Sequence, residues 1–243
     1  MRISRFFLPQ PLSPGATIQL ADESAHYLRT VLRLKKGADL VVFNGEGGEY
    51  PANLLEAHKD AVKLLLGPLN PRETESPLPI ALGLGISRGE RMDLAIQKAV
   101  ELGVSAITPL FTERCVVQLD GDARKVQRLR HWRKIAQSAC EQCGRNRVPE
   151  IFEPMKLEEW VVRQNGLRLF LDPGGTEALR ELPRPHGPIC LLSGPEGGFT
   201  VVERKTATEA EFIAIRLGPR VLRTETAALA ALTAIQTLWG DMG

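Results

Sequence analysis

The sequence has no run of apolar residues long enough to cross a bilayer. Its longest apolar stretches, such as Ile80 to Ile86, stop far short of the roughly 20 residues a spanning helix needs. The opening residues, Met1 to Pro9, carry no hydrophobic segment of signal-peptide length, so the expected location is cytoplasmic, with no membrane partner. Cysteine is scarce: Cys115, Cys140, Cys143 and Cys190 are the only four in 243 residues. A disulfide framework is not expected in a cytosolic chain of this size. Cys140 and Cys143 have Cys-x-x-Cys spacing, but zinc would need a second ligand pair at matching spacing, and there is none. The pair also continues a helical pattern. The four histidines, His26, His58, His131 and His186, are scattered, so no metal is expected. Net charge is nearly absent too. Thirty-one Lys and Arg against 29 Asp and Glu leave +2, so nucleic-acid binding has to be argued from local charge rather than from the total. What remains is 43% hydrophobic and 25% charged, the make-up of a soluble chain with one large or two modest domains.

The most informative stretch is the last fifth. Ile189 to Leu192 is a short apolar run, as expected of a buried parallel strand. It opens into Gly194-Pro195-Glu196-Gly197-Gly198, where three glycines allow close backbone approach to a ligand. Thr200 with Glu203 three residues on spells a capping box and a helix start. Phe212 to Leu217 is a second apolar run, ending in Gly218-Pro219. Upstream, Leu167 to Leu171 runs into Asp172-Pro173-Gly174-Gly175. In open α/β sheets ligands sit beyond the carboxyl ends of strands, so three such loops could line one pocket. Ordinary tight turns are the competing reading.

Residues 1–72 read as a small β-rich module. Strand candidates are Arg5 to Leu8, Thr17 to Leu20, Leu40 to Phe43, Tyr50 to Leu55 and Val62 to Leu66, with Asn44 to Gly48 as a hairpin loop. Asp22 can cap a helix with Ala25, Leu28 and Leu32 on one face, ended by Gly37. Asn70 to Pro79 reads as a linker. From residue 80 a βαβ rhythm argues a mostly parallel sheet. Strands are expected at Ile80 to Ile86 and Ala106 to Leu110. Between them lies a helix ending at Gly103, with Met92, Ala95, Ala99 and Leu102 as its buried stripe. A long helix spans Ala123 to Gly144, with Val126, Leu129, Ala136, Ala139 and Cys143 down one side. Between Arg124 and Arg147 stand eight Lys or Arg against one acid, Glu141. Such a stripe can neutralise phosphates, and a solvated helix face is the alternative. Leu157 to Arg163 is a short helix and Thr176 to Leu182 weakly helical. Ala227 to Trp239 has no charge on any face, which predicts a buried helix, plausible against a partner subunit.

Gly194 to Phe199 and Leu217 to Ala227 resemble the signature pair of the small-subunit rRNA uracil-N3 methyltransferases, of the SPOUT superfamily. Gln97 to Gly103, Glu113 to Val117 and Glu141 to Arg145 resemble further motifs of that family. The resemblance covers the whole chain. It implies an α/β SPOUT methyltransferase domain with a trefoil knot over residues 73–243, a PUA-like RNA-binding β-barrel over residues 1–72, and a homodimer. It also implies S-adenosylmethionine as cofactor, and ribosomal RNA or the small ribosomal subunit as partner. The implied cofactor contacts are Leu171, Asp172, Leu192, Ser193, Gly194, Pro195, Glu196, Gly197, Gly198, Leu217, Gly218, Val221, Leu222, Arg223, Thr226 and Ala227. The implied RNA contacts are Arg5, Arg33, Arg88, Lys98, Arg128, Arg133, Lys134, Arg145 and Arg147. Lys98 and Glu101, three apart on a helix, read equally as a surface ion pair.

Uracil N3 must lose its proton before or during methyl transfer, which calls for a carboxylate or a hydrogen-bonding cation nearby. An Arg could steady the negative charge developing on the uracil oxygens. Glu196 and Arg223 are the first candidates for this work, with Glu225 and Arg114 behind them. Glu196 bracing the loops is the structural alternative. A nicotinamide dinucleotide site at Gly83-x-Gly85-x-x-x-Gly89 has the wrong spacing. A methyltransferase acting on tRNA or large-subunit rRNA, and a non-catalytic RNA-binding assembly protein, remain as alternatives.

Overall fold

The computed structural model describes residues 3–58, 62–115, 117 and 121–243. Val116 of the Glu113 to Val117 motif lies outside the described residues. The chain forms two compact units, Met1–Glu75 with Cys140–Val148, and Ser76–Ala139 with Pro149–Gly243.

The first unit holds five strands: β1 (Ser4–Phe7), β2 (Thr17–Leu20), β3 (Asp39–Phe43), β4 (Tyr50–Ala57) and β5 (Val62–Leu66). They form one sheet in the order β1-β3-β4-β5-β2, with β1 parallel to β3 and the other ladders antiparallel. Among the described residues no ladder joins the outer strands β1 and β2, so the strand pattern expected of a barrel is realised as an open sheet. Alternation in β5 turns Val62, Leu64 and Leu66 inward onto Leu40, Val42 and Leu54. Helix α1 (Asp22–His26) runs on into a single π turn, Tyr27–Val31. Asp22 is the first helical residue rather than the cap, which is Ala21. The helix stops at Val31, short of Gly37, where Arg33 takes a left-handed φ of 53°. Residues 140–148 join this unit through polar bonds. Arg145 donates to Glu75 at 2.6 and 2.9 Å, and Asn146 donates to the Arg72 carbonyl at 2.6 Å.

Among the described residues the second unit is built on seven parallel strands: β6 (Ile80–Gly85), β7 (Ala106–Phe111), β8 (Glu150–Ile151), β9 (Met155–Lys156), β10 (Leu167–Leu171), β11 (Ile189–Ser193) and β12 (Ile213–Ile215). Their order is β12-β10-β11-β6-β7-β8, with β9 also paired to β7. The near-continuous apolar runs of β6 and β11 follow from burial on both faces. β8 and β9, two residues each, carry no periodicity for a sequence reading to detect. The helices are α2 (Glu90–Glu101), α3 (Asp122–Cys143), α4 (Leu157–Val161), α5 (Val201–Glu209) and α6 (Thr224–Trp239). Thr176 to Leu182 yields only one 3₁₀ turn, Leu179–Glu181.

Two expected stripes shift. In α3 the buried line includes Leu129, Trp132, Ala136, Ala139 and Cys140, while Val126 is 56% exposed. Trp132, one turn beyond Leu129, takes the inward position. In α2 the stripe is Met92, Ala95, Ile96, Ala99 and Val100, and Leu102 is only half-buried. Helix α6 is not buried all round. It packs Ala228, Ala231, Leu232 and Ile235 inward, partly on α2, and leaves Thr233, Thr237 and Leu238 exposed. Gln236, fully buried in α6, donates to the Leu102 carbonyl and accepts from the Ser76 hydroxyl, each at 2.9 Å, so its side-chain amide is satisfied.

Candidate cofactor and RNA site

Strands β12, β10 and β11 are neighbours and parallel, so their carboxyl ends lie side by side. The three Gly/Pro loops that follow them therefore meet, and they enclose a cavity of about 480 Å³. This is the crevice position at which open α/β sheets bind ligands. Its wall includes Leu171, Asp172, Ser193, Gly194, Pro195, Glu196, Gly197, Gly198, Leu217, Gly218, Val221, Leu222, Arg223 and Ala227. Two of the cofactor contacts implied by the sequence lie outside it. Leu192 is fully buried in the strand, and its neighbour Ser193 reaches the cavity instead, because successive strand residues point to opposite faces. Thr226 is exposed on α6, whose cavity-facing residues are Thr224 and Ala227, three apart.

The loops are braced by polar bonds. Asp172 accepts from the Gly174 N–H at 2.8 Å and pairs with Arg204 at 3.2 Å. Thr200 and Glu203 form the expected capping box of α5, and Glu203 does more than that. Its carboxylate, 3% exposed as a residue, also accepts from the Glu113 N–H at 2.8 Å, tying the Glu113 to Val117 motif to the α5 amino terminus. Arg114 in turn donates to the Gly197 carbonyl at 2.9 Å.

Of the four candidate catalytic residues, Glu196, Arg223 and Arg114 line the cavity and Glu225 does not. Glu225 is buried in the first turn of α6, and one of its carboxylate oxygens has no partner among the described residues. Glu196 Oε1 accepts from the Arg88 N–H and from Arg91 Nη1, both at 3.2 Å. Partial burial pushes its carboxyl up, but its own and the Arg88 backbone N–H groups, with the Arg91 guanidinium, outweigh that and hold it below the ordinary carboxylate range. A group so lowered stays ionised at neutral pH, and its tether to Arg91 is lost only as pH falls through that depressed value.

Among the described residues six arginines line the cavity, Arg91, Arg114, Arg204, Arg216, Arg220 and Arg223, against two acids, Asp172 and Glu196, each already paired with one of them. The sequence reading missed Arg91, Arg204, Arg216 and Arg220. Arg216 and Arg220 flank Leu217-Gly218, so proximity to the motif was the available signal.

The expected RNA contacts fall into two groups. Arg88, Arg128, Arg133, Lys134 and Arg147 are exposed, although Arg133 spends its guanidinium on the Ile151 carbonyl. Lys98 pairs with Glu101 at 2.7 Å. Arg33 is exposed on the first unit. Arg5 and Arg145 need correction as free contacts. Arg5 is bonded to Glu49 and Asn146 and lies 4.8 Å over the Phe43 ring, and Arg145 is 5% exposed and clamped on Glu75. Both guanidiniums hold the first unit together. Burial pushes Cys115 and Cys190 up, and Cys140 up to about 12.

Family models extend the comparison. Residues 74–236 match an RNA methyltransferase domain and residues 20–66 an RNA methyltransferase PUA domain. Together, the parallel sheet with its cavity and the preceding β-rich unit define an RNA methyltransferase with a PUA-like domain. Ribosomal RNA small subunit methyltransferase E of Neisseria gonorrhoeae, solved bound to S-adenosyl methionine, is 40% identical, with both chains covered in full and a TM-score of 0.93. A Legionella pneumophila protein, solved with the same cofactor, is 39% identical over 99% of this chain and 100% of that one, with a TM-score of 0.95. The Bacillus subtilis ribosomal RNA small subunit methyltransferase E is 31% identical over 96% of each chain. The chain belongs to the ribosomal RNA small subunit methyltransferase E family.

Proposed function

We propose that this protein is an S-adenosylmethionine-dependent methyltransferase acting on N3 of a specific uridine in small-subunit (16S) ribosomal RNA. The observation that carries the reading is the cavity where three glycine-rich loops converge, in a chain 40% identical to a relative solved with that cofactor. The residues fit the group. Leu171, Ile215, Leu217 and Leu222 offer apolar walls for a purine, and the loops at 194–198 and 217–222 bring main-chain N–H and C=O groups to the wall. The bound cofactor supplies a methyl group made electrophilic by its sulfonium. The chain's own part is to hold the uracil in line with it and to manage the N3 proton. Glu196, ionised and fixed by Arg91, offers an acceptor for that proton. Its lowered basicity suits orienting the base more than stripping the proton in a separate step. Arg223 and Arg114, which line the cavity, would steady charge on the uracil oxygens. Arg216, Arg220 and Arg223, exposed and without an ion-pair partner among the described residues, suit a polyanionic substrate better than a cationic cofactor.

Incubation with labelled cofactor and ribosomal subunits lacking the modification, followed by mass mapping, tests the reading. Label is expected at a uracil ring nitrogen of small-subunit RNA. Label in tRNA or large-subunit RNA moves the substrate, and cofactor binding without transfer to any RNA favours a non-catalytic scaffold. Glu196→Gln is expected to bind cofactor normally and to lose on the order of a hundredfold in kcat. Near-normal turnover would remove the role.

The same reading assigns residues 1–72 to a PUA-like RNA-binding domain and 73–243 to the methyltransferase domain, in the cytoplasm. It includes a carboxyl-terminal trefoil knot, supported by the insertion of β11 between β6 and β10 and by the return of α6 from the β12 edge onto α2. It also includes a homodimer, supported by the apolar composition of α6 and its exposed Leu238. Light scattering is expected to give twice the chain mass. A stable monomer at micromolar concentration would count against the dimer.

A further inference from the structure

A second, smaller cavity of about 160 Å³ lies at the amino-terminal end of α2, walled by residues that include Ser87, Arg88, Gly89, Arg128 and Trp132. Four observations give it one chemical character. Trp132 is 2% exposed, and its indole N–H is buried with no acceptor among the described residues. An unsatisfied buried donor of that kind is uncommon enough to need a partner. The N-cap of α2 is Gly89, which supplies no side chain to the first-turn amides. Its backbone, at φ 46° and ψ −123°, is one that favours glycine, and among the described residues nothing lies within 4 Å of where a Cβ would stand. Arg88 and Arg128 are exposed, with no ion-pair partner recorded among the described residues. Ser87 spends its hydroxyl proton on the Gly85 carbonyl at 3.3 Å, and no carboxylate lines the cavity among the described residues. The two acids of the first helical turn do not line the cavity, and Asp93 faces His131 at 2.8 Å instead.

We infer that this cavity is a phosphodiester-binding subsite for the RNA substrate, filled by a backbone phosphate held by Arg88, Arg128, the Trp132 indole N–H and the α2 amino terminus. A helix amino terminus with free amides favours an anion, and guanidinium groups add charge-assisted bonds. The subsite rests on the reading that the chain takes RNA, and it adds where the strand is gripped. One short segment, the residues just before α2 and its first turn, serves both cavities. Arg91 lines the large one, Arg88 and Gly89 line the small one, and Arg88 and Arg91 both donate to Glu196. A phosphate held here therefore sits one such segment away from a base placed beside Glu196. The basic face of α3 supplies Arg128 and continues the grip.

The test uses the full chain and follows the tryptophan indole ¹H–¹⁵N resonances. The sequence has three tryptophans, and Trp132→Phe assigns the signal. Inorganic phosphate, and separately a uridine-containing oligoribonucleotide, are expected to shift the Trp132 signal saturably, the oligonucleotide at lower concentration. Arg128→Gln, an exposed substitution that leaves the core alone, is expected to raise KM for ribosomal RNA about tenfold. It should also reduce the slope of log affinity against log salt by about one, with cofactor affinity measured by calorimetry unchanged. A Trp132 signal unmoved by either probe overturns the subsite. So does one moved by phosphate but not by the oligonucleotide, which would mean a site for a free anion. So does an Arg128→Gln enzyme with wild-type KM and salt slope. In each of these cases wild-type methylation of RNA continues, and only the subsite fails. If the wild-type protein transfers label to no RNA at all, the functional reading fails and takes the subsite with it.

Discussion

Gly85→Ala is expected to abolish cofactor binding at ordinary concentrations while leaving the fold recognisable. A Cβ at position 85 would stand 2.5 Å from the Pro195 nitrogen and 2.8 Å from the Gly194 carbonyl carbon. Both are main-chain atoms, so no side-chain rotation relieves the contact. Either β6 or the 194–198 loop must move. Forcing an extra methyl into a packed position costs about 1–3 kcal/mol in stability. The functional loss should be larger, because the displaced loop is itself a wall of the cavity. Misplacement by about 1 Å is enough to cost on the order of a hundredfold. Calorimetric titration with S-adenosylmethionine reads the affinity, and circular dichroism checks the fold. Affinity within a few-fold of wild type would mean that the loop adjusts freely and does not define the site. This contact is also the physical reason for a glycine inside an otherwise apolar strand, a position that a dinucleotide fingerprint of the wrong spacing could not explain.

Glu203→Ala is expected to be the more destabilising substitution. The side chain accepts from the Thr200 N–H and from the Glu113 N–H, each at 2.8 Å, in a buried setting. Hydrogen bonds to a charged group contribute about 1.5–3 kcal/mol each, so losing both should cost on the order of 4 kcal/mol. For a chain of this size that lowers the melting temperature by roughly 10 °C. Thr200→Ala is the control. It removes only the hydroxyl that accepts from the Glu203 N–H, a cap worth about 1 kcal/mol. The comparison weighs the two bonds to the Glu203 carboxylate, one of them from Glu113, against the single bond to the Thr200 hydroxyl. Equal losses would show that the two carboxylate bonds together contribute no more than that one. Because Arg114 follows Glu113 and donates to Gly197, the Glu203 variant should also weaken cofactor binding, whereas the Thr200 variant should not.

These two residues also mark where the sequence stops being readable. The capping box at Thr200 and Glu203 is visible in sequence because its partners are three residues apart. The bond from Glu113 to Glu203 spans 90 positions, and no local pattern announces it. The same division holds for the charges. Eight basic residues between Arg124 and Arg147 are countable, but only the folded chain shows that Arg145 is committed to Glu75 while Arg128 is exposed and lines a cavity with the buried Trp132.

By itself the sequence determined the class of each long element, because a period of two or 3.6 residues is a local property that burial of one face imposes. It also marked the glycine-rich strand ends, because tight loops need particular residues at particular places. Tertiary structure alone decided that β10, β11 and β12 lie side by side, so that three separate loops become one cavity, and that six arginines gather around it. It also decided which face of α6 is covered and which apolar residues it leaves outside. Strand order and cross-chain contact depend on which surfaces the whole chain can bury together, and that sum is not written in any one segment.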